Sequence, residues 1–266
     1  MPPISLDTAR RIDALLRDLG PQLRRGGPPT GSLTRLPAGI PDIDRLLGGG
    51  FPRGALSEIA GPASSGRTSL ALALLARTTR AGEVTAVVDG SDAFDPTSAE
   101  AAGVALERVL WVRAPGPHQA LRSAEQLLKA HGFALVLLDR AGGDPRVTPA
   151  TWPRLARAAA GAAAALVVLS AQRGAGSAAA LGLEMKPGRA HFAGTPALLE
   201  GLEIEAILVR HRAAPADRRA GTLLNVHFEV GGESRQDSAL HADLKVNVQQ
   251  RPRLRLRQRP RSSHRS

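Results

Sequence analysis

Residues 61–68 read Gly-Pro-Ala-Ser-Ser-Gly-Arg-Thr, with the glycines spaced as G-x-x-x-x-G ahead of a basic residue and a hydroxyl. In that spacing the backbone N–H groups cradle phosphate, a basic side chain reaches the β- and γ-phosphates, and the hydroxyl holds Mg²⁺. Gly61, Ser64, Ser65, Gly66, Arg67 and Thr68 are therefore candidate nucleotide-binding residues. The basic residue is normally lysine, a compact point charge. Arg67 is larger, planar and forked, and does not substitute for lysine simply by carrying the same charge. A second candidate is Asp139, which closes the apolar run Leu135-Val136-Leu137-Leu138. A carboxylate at such a strand end suits the water shell of a bound Mg²⁺, so Thr68 and Asp139 are the candidate metal ligands if nucleotide binds.

These residues need elements to position them. Leu56–Ala60 reads as a strand entering the loop, and Thr68–Arg80 as a helix leaving it. Strand, glycine loop and helix N-terminus place an anion at a positive dipole end. Further strands are expected at Val84–Asp89, Val109–Arg113, Leu135–Asp139, Leu166–Ala171, Ile204–Arg210, Leu223–Val230 and Leu244–Val248. Helices are expected at Pro96–Ala102, His118–His131 and Thr151–Ala164. The continuously apolar strands suit a parallel sheet covered on both faces. The late strands lack intervening helices and predict an antiparallel extension at one edge. The expected class is α/β: a phosphate-loop core with a mostly parallel twisted sheet and helices on both faces. Residues 173–195 hold no clear periodicity and are expected to form a long loop, of functional or disordered character.

Composition narrows the class. The chain has 266 residues, 43% apolar but only 3% aromatic, so Leu, Val, Ile and Ala must build the core. Absence of cysteine excludes disulfides and thiolate metal sites. No apolar run reaches membrane-spanning length and no signal-peptide core opens the chain, so a soluble cytoplasmic protein with no membrane partner is expected. The net charge is +11, of which Lys245 and seven arginines after Asp243 carry +8. Arg251, Arg253, Arg255, Arg257, Arg259 and Arg261 alternate with Pro, Leu and Gln and read as a disordered basic tail suited to DNA without sequence preference. The expected division is an amphipathic helix and linker at 1–31, a core domain at 32–248 and the tail at 249–266. In the first segment Ile12, Leu15, Leu16 and Leu19 form an apolar stripe that packs on the core or docks on a partner.

In this order, the features resemble the RecA family of recombinases over about residues 32–212. Residues 39–54, residues 88–96 with 102–104, the run Leu135–Asp139 and Ser170-Ala171-Gln172-Arg173 carry the resemblance. It implies a RecA-like core, ATP and Mg²⁺ as cofactors, Asp139 near the metal, and Gln172 as the sensor of the γ-phosphate. Gln172 also reads as an ordinary polar strand end. The family's loop after that glutamine is mobile and touches DNA, which makes Arg173, Lys186 and Arg189 candidate DNA or partner contacts.

Three positions depart from the family. Its water-polarising glutamate falls on Ser91, its adenine-stacking tyrosine on Ser98 and its loop lysine on Arg67. Serine is no general base at neutral pH, and Asp89 and Asp92 are the carboxylates left to replace it. The chain ends soon after the core. This short, altered form looks most like the ImuA accessory proteins, RecA-like partners of translesion polymerase subunits in damage-induced mutagenesis. The resemblance implies a nucleoid-associated adaptor of an SOS-type response that works with DNA, recombinase and polymerase subunits, with self-association open. The alternatives are a divergent DNA-dependent ATPase of recombinase type and a regulator of recombinase filaments.

Overall fold

The structure, a computed structural model, describes residues 34–114, 116–140, 147–148, 150–194, 198–212 and 222–229. Strands β1 (Arg35–Leu36) and β2 (Phe51–Pro52) form a small antiparallel pair around helix α1 (Pro41–Leu47). The main sheet follows. Its strands are β3 (Ala55–Ala60), β4 (Thr85–Asp89), β5 (Val109–Arg113), β6 (Leu135–Asp139), β7 (Ala165–Ser170), β8 (Leu181–Ala193), β9 (Leu198–His211) and β10 (Thr222–Glu229). Its helices are α2 (Arg67–Arg80), α3 (Pro96–Ala101), α4 (Pro117–Ala130) and α5 (Thr151–Ala162).

The eight strands lie in the order β10-β9-β8-β3-β7-β6-β4-β5. From β5 through β3 to β8 every pairing is parallel; β8 with β9 and β9 with β10 are antiparallel. This mostly parallel sheet with an antiparallel edge is the class expected from the sequence. The apolar runs explain the parallel part. All six residues of β3 and of β7 are buried, so neither face meets water. One face packs on Ile43, Leu47, Leu70, Leu74 and Leu75 of α1 and α2. The other packs on Leu121, Ala124, Leu128, Leu155 and Ala159 of α4 and α5. Each fully buried leucine or isoleucine contributes about 1.5–3 kcal/mol relative to an exposed one.

Local chemistry sets the helix ends. Asp95 caps α3 by accepting from Thr97 N (3.2 Å) and Ser98 N (2.9 Å), and Pro96 occupies the first turn, where its missing N–H costs nothing. In α2, Leu70, Ala71, Leu74, Leu75 and Thr78 recur at helical spacing and are buried.

Residues 173–195 are not the long loop their composition suggests. Strand β8 occupies 181–193, and only the residues before it, with a short 3₁₀ turn at Gly176–Ala178, form a loop. Leu181, Leu183 and Met185 alternate into the core. The period-2 signal is masked by Gly182, Pro187 and Gly188, and the register with β9 shifts between Gly182 and Leu183 and between Pro187 and Ala190. Bulges of this kind break the alternation that sequence patterns rely on. The apolar stripe at 12–19, the strand expected at Leu244–Val248 and the whole basic tail lie outside the described residues. Among the described residues no helix is long and apolar enough to cross a membrane.

Candidate nucleotide site and adjoining cleft

Parallel pairing brings the chemistry-bearing residues to one edge. Asp89 pairs with Asp139, Asp139 with Leu169, and Ala60 with both Ser170 and Glu184. The carboxyl ends of β4, β6, β7 and β3 therefore line up with the glycine loop, the edge where open α/β sheets hold ligands.

The loop has the shape of a phosphate cradle. Gly66 sits in the left-handed region at φ 79°, which glycine adopts without strain, and Ser64 joins it at φ 60°. Left-handed residues at a helix N-terminus turn successive N–H groups toward one point, a nest for an anion. Ser65 is fully buried and, among the described residues, its Oγ has no hydrogen-bond partner, which suits a phosphate oxygen. Thr68 is exposed at the second residue of α2. Gly61 is required for a different reason. A Cβ there would lie 2.4 Å from the carbonyl oxygen of Met185, so β8 passes directly against the loop.

Arg67 points elsewhere. Its Nη1 donates to the carbonyl of Gly61 and, at 3.2 Å, to that of Ser170. Gly61 N also donates to Ser170 O at 3.0 Å. The cationic group thus clamps the start of the loop to the end of β7. The backbone cradle and Ser65 fit a phosphate; the side chain in the lysine position is already engaged by carbonyls.

Across the site, Ser91 Oγ donates to Asp139 Oδ1 at 3.5 Å, a long contact. Asp89 is buried and organises the chain around Ser91. It accepts from Ser91 N (3.2 Å), Ala93 N (3.0 Å) and Phe94 N (3.0 Å). Burial pushes its carboxyl up, but the amides of Phe94, Ala93 and Ser91 outweigh that and hold it below the ordinary carboxylate value. Asp92, exposed and at φ 52°, pairs with Arg113 through Nε (2.8 Å) and Nη2 (2.9 Å). Both carboxylates left as substitutes for the missing glutamate are thus bound to other groups. Ser98 Oγ donates to the capping Asp95 carboxylate, a short contact, and offers no aromatic face. Among the described residues no group of three His, Cys, Asp or Glu side chains is placed to hold a metal.

Beside the loop, a cleft of about 480 Å³ is lined by Gly61, Pro62, Gln172, Arg173, Met185 and Lys186 among others. Gln172 and Arg173 are exposed, and Arg173 Nε approaches Glu184 Oε2 at 3.8 Å. Lys186 sits opposite Glu205 in the β8–β9 register, and the exposed Arg189 lies in the bulged stretch beyond. The fold therefore gathers Gln172, Arg173 and Lys186 against the glycine loop. Arg251, Arg253, Arg255, Arg257, Arg259 and Arg261 lie outside the described residues.

One residue went unread in the sequence. Glu58, 2% exposed in the middle of β3, accepts from Gly174 N (2.7 Å), Ala175 N (3.2 Å) and Ser170 Oγ (3.4 Å). It anchors the segment after Gln172 to the strand that feeds the glycine loop. The signal in the sequence was a charged residue inside a mostly apolar strand, three positions before Gly61.

Known proteins resemble this chain in sequence and in fold. A description of the RecA N-terminal domain matches residues 20–147. Protein RecA of Picosynechococcus sp. is 38% identical over 120 residues, 45% of this chain and 34% of its own length. Protein RecA of Porphyromonas gingivalis is 42% identical over 106 residues, 39% of this chain and 31% of its own. The chloroplastic DNA repair protein recA homolog 1 of Arabidopsis thaliana is 32% identical over 140 residues, 50% and 32%. The matched region spans about a third of these relatives' length. In fold, the crystal structure of the RadB recombinase aligns with a TM-score of 0.55 at 23% identity, covering 72% of this chain and 94% of that one. Residues 20–147 are thus similar in sequence to the RecA N-terminal domain, and the core shares its fold with the RadB recombinase.

Proposed function

We propose that this protein is a RecA-like accessory factor in DNA damage tolerance, a catalytically degenerate adaptor that binds DNA and acts with a recombinase and translesion polymerase subunits. The observation that carries this reading is the pair Ser91 and Arg67. Ser91 meets Asp139 where a RecA-like ATPase requires a glutamate, and Arg67 is held by the carbonyls of Gly61 and Ser170. A phosphate-transfer site works by positioning and charge, so losing the water-orienting group and the phosphate-facing cation each costs orders of magnitude in rate. Asp89 does not supply the base, because its oxygens are taken by three amides. The same two substitutions favour the ImuA accessory proteins as the group resembled most. ATP and Mg²⁺, if bound, would be held by the loop amides, Thr68 and Asp139, and would serve as structural ligands. Arg173, Lys186, Arg189 and the arginine tail are the proposed DNA and partner contacts in a cytoplasmic, nucleoid-associated role.

A second reading is supported by what remains. Gly61, Gly66, Thr68, Asp139 and Gln172 stand at the sequence positions that a divergent DNA-dependent ATPase paralogue would require. The double reversion Ser91→Glu with Arg67→Lys separates the two. Under the adaptor reading the wild type is inert and the double variant gains DNA-stimulated phosphate release. Turnover by the wild type that is abolished in Asp139→Ala establishes the paralogue reading instead.

A further inference from the structure

In phosphate-driven switches, bound nucleotide is the bridge between the phosphate loop and the segments that respond to it; releasing the γ-phosphate releases those segments. This chain makes the bridge from its own side chains. Arg67 Nη1 joins Gly61 O to Ser170 O, and Gly61 N donates to the same Ser170 carbonyl. Glu58, on the strand entering the loop, holds Gly174 N and Ala175 N and is also reached by Ser170 Oγ. Two long-range ties, one cationic and one anionic, therefore converge on Ser170 and fix both sides of Gln172. The anionic tie lies inside the protein, where a charge-assisted hydrogen bond is stronger than one in water.

We propose that Arg67 and Glu58 replace bound nucleotide as the link between the phosphate loop and residues 171–180, so this segment holds one shape with or without nucleotide. The inference rests on the adaptor reading and sharpens it. The surface formed by Gln172, Arg173 and Lys186 is built in advance and is offered to its polyanionic partner constitutively.

Hydrogen exchange by mass spectrometry on the full chain tests this, with and without saturating Mg-ATP and Mg-ADP. Wild-type protection across 172–180 should agree within about 2-fold in all three states, and Glu58→Gln, which keeps one acceptor oxygen but removes its charge, should lower it there by about 10-fold. Arg67→Lys should make protection of the same segment depend on nucleotide. A wild-type change of about 10-fold on adding nucleotide overturns the proposal, as does Glu58→Gln leaving the segment unchanged. Should Glu58→Gln fail to fold, the wild-type series and Arg67→Lys decide. Phosphate release measured on the same samples separates this inference from the reading beneath it. A hydrolysing protein with invariant protection keeps the tie and loses the adaptor role; an inert protein with nucleotide-dependent protection does the reverse.

Discussion

The two halves of the main sheet solve different problems. From β5 to β3 the strands are parallel, and β3, β4 and β7 are buried along their whole length. From β8 to β10 the strands are long and antiparallel, and the outer part of β8 is exposed. Helices cover the first half on both faces, so its loops are displaced to the strand ends, and there the phosphate cradle, Asp89, Asp139 and Gln172 collect. In the second half the outer residues of β8 reach the surface, and there His191 Nε2 lies 3.2 Å from Glu203 Oε1. The seam between them is β3 against β8, where Gly61 meets Met185. A parallel sheet concentrates chemistry at one edge, whereas an antiparallel extension distributes charge along its length.

Substitutions at matched positions sharpen this contrast. Leu138→Ala, in a fully buried position of β6, should cost about 2–5 kcal/mol in denaturant unfolding, the range for a core leucine that leaves a cavity. Glu58→Ala should cost about 1–3 kcal/mol, because it leaves the amides of Gly174 and Ala175 without their acceptor. At the seam, Gly61→Ala must push β8 off the loop and should cost about 1–3 kcal/mol. A cost near zero there would show that the two halves move independently. Phe192→Ala, 63% exposed on β8, should stay within about 0.5 kcal/mol.

Acid titration probes the parallel edge specifically. The folded Asp89 carboxyl lies below its ordinary value of 3.8, so its stabilising contribution is complete above that value and lost as pH falls through the lowered one. Asp89→Asn should therefore flatten the acid side of the stability profile. Equal profiles for wild type and Asp89→Asn would contradict the assigned role.

The parallel half was legible because its signals are local. Continuous apolar runs mark β6 and β7, and Pro96 after Asp95 marks a helix start. The antiparallel half was legible at Ile204–Arg210 and Leu223–Val230, where apolar residues recur, but not at β8. There Gly182, Pro187 and Gly188 interrupt the alternation, and pairing with β9 and β3, a long-range effect, makes the strand. At the site, the glycine frame and the changed residues were readable one by one. The commitment of Arg67 to Gly61 and Ser170 was not, since Ser170 lies 103 residues away. Glu58 was hidden in the same way: its partners are 116 and 117 residues on.

The central claim is that the cradle keeps its shape without driving hydrolysis. The most direct measurement is Mg-ATP hydrolysis by the purified full chain, with and without single-stranded DNA, beside Thr68→Ala. The account predicts no turnover above background in either protein and no stimulation by DNA. DNA-stimulated turnover in the wild type that disappears in Thr68→Ala would contradict it and make Arg67 a working phosphate ligand.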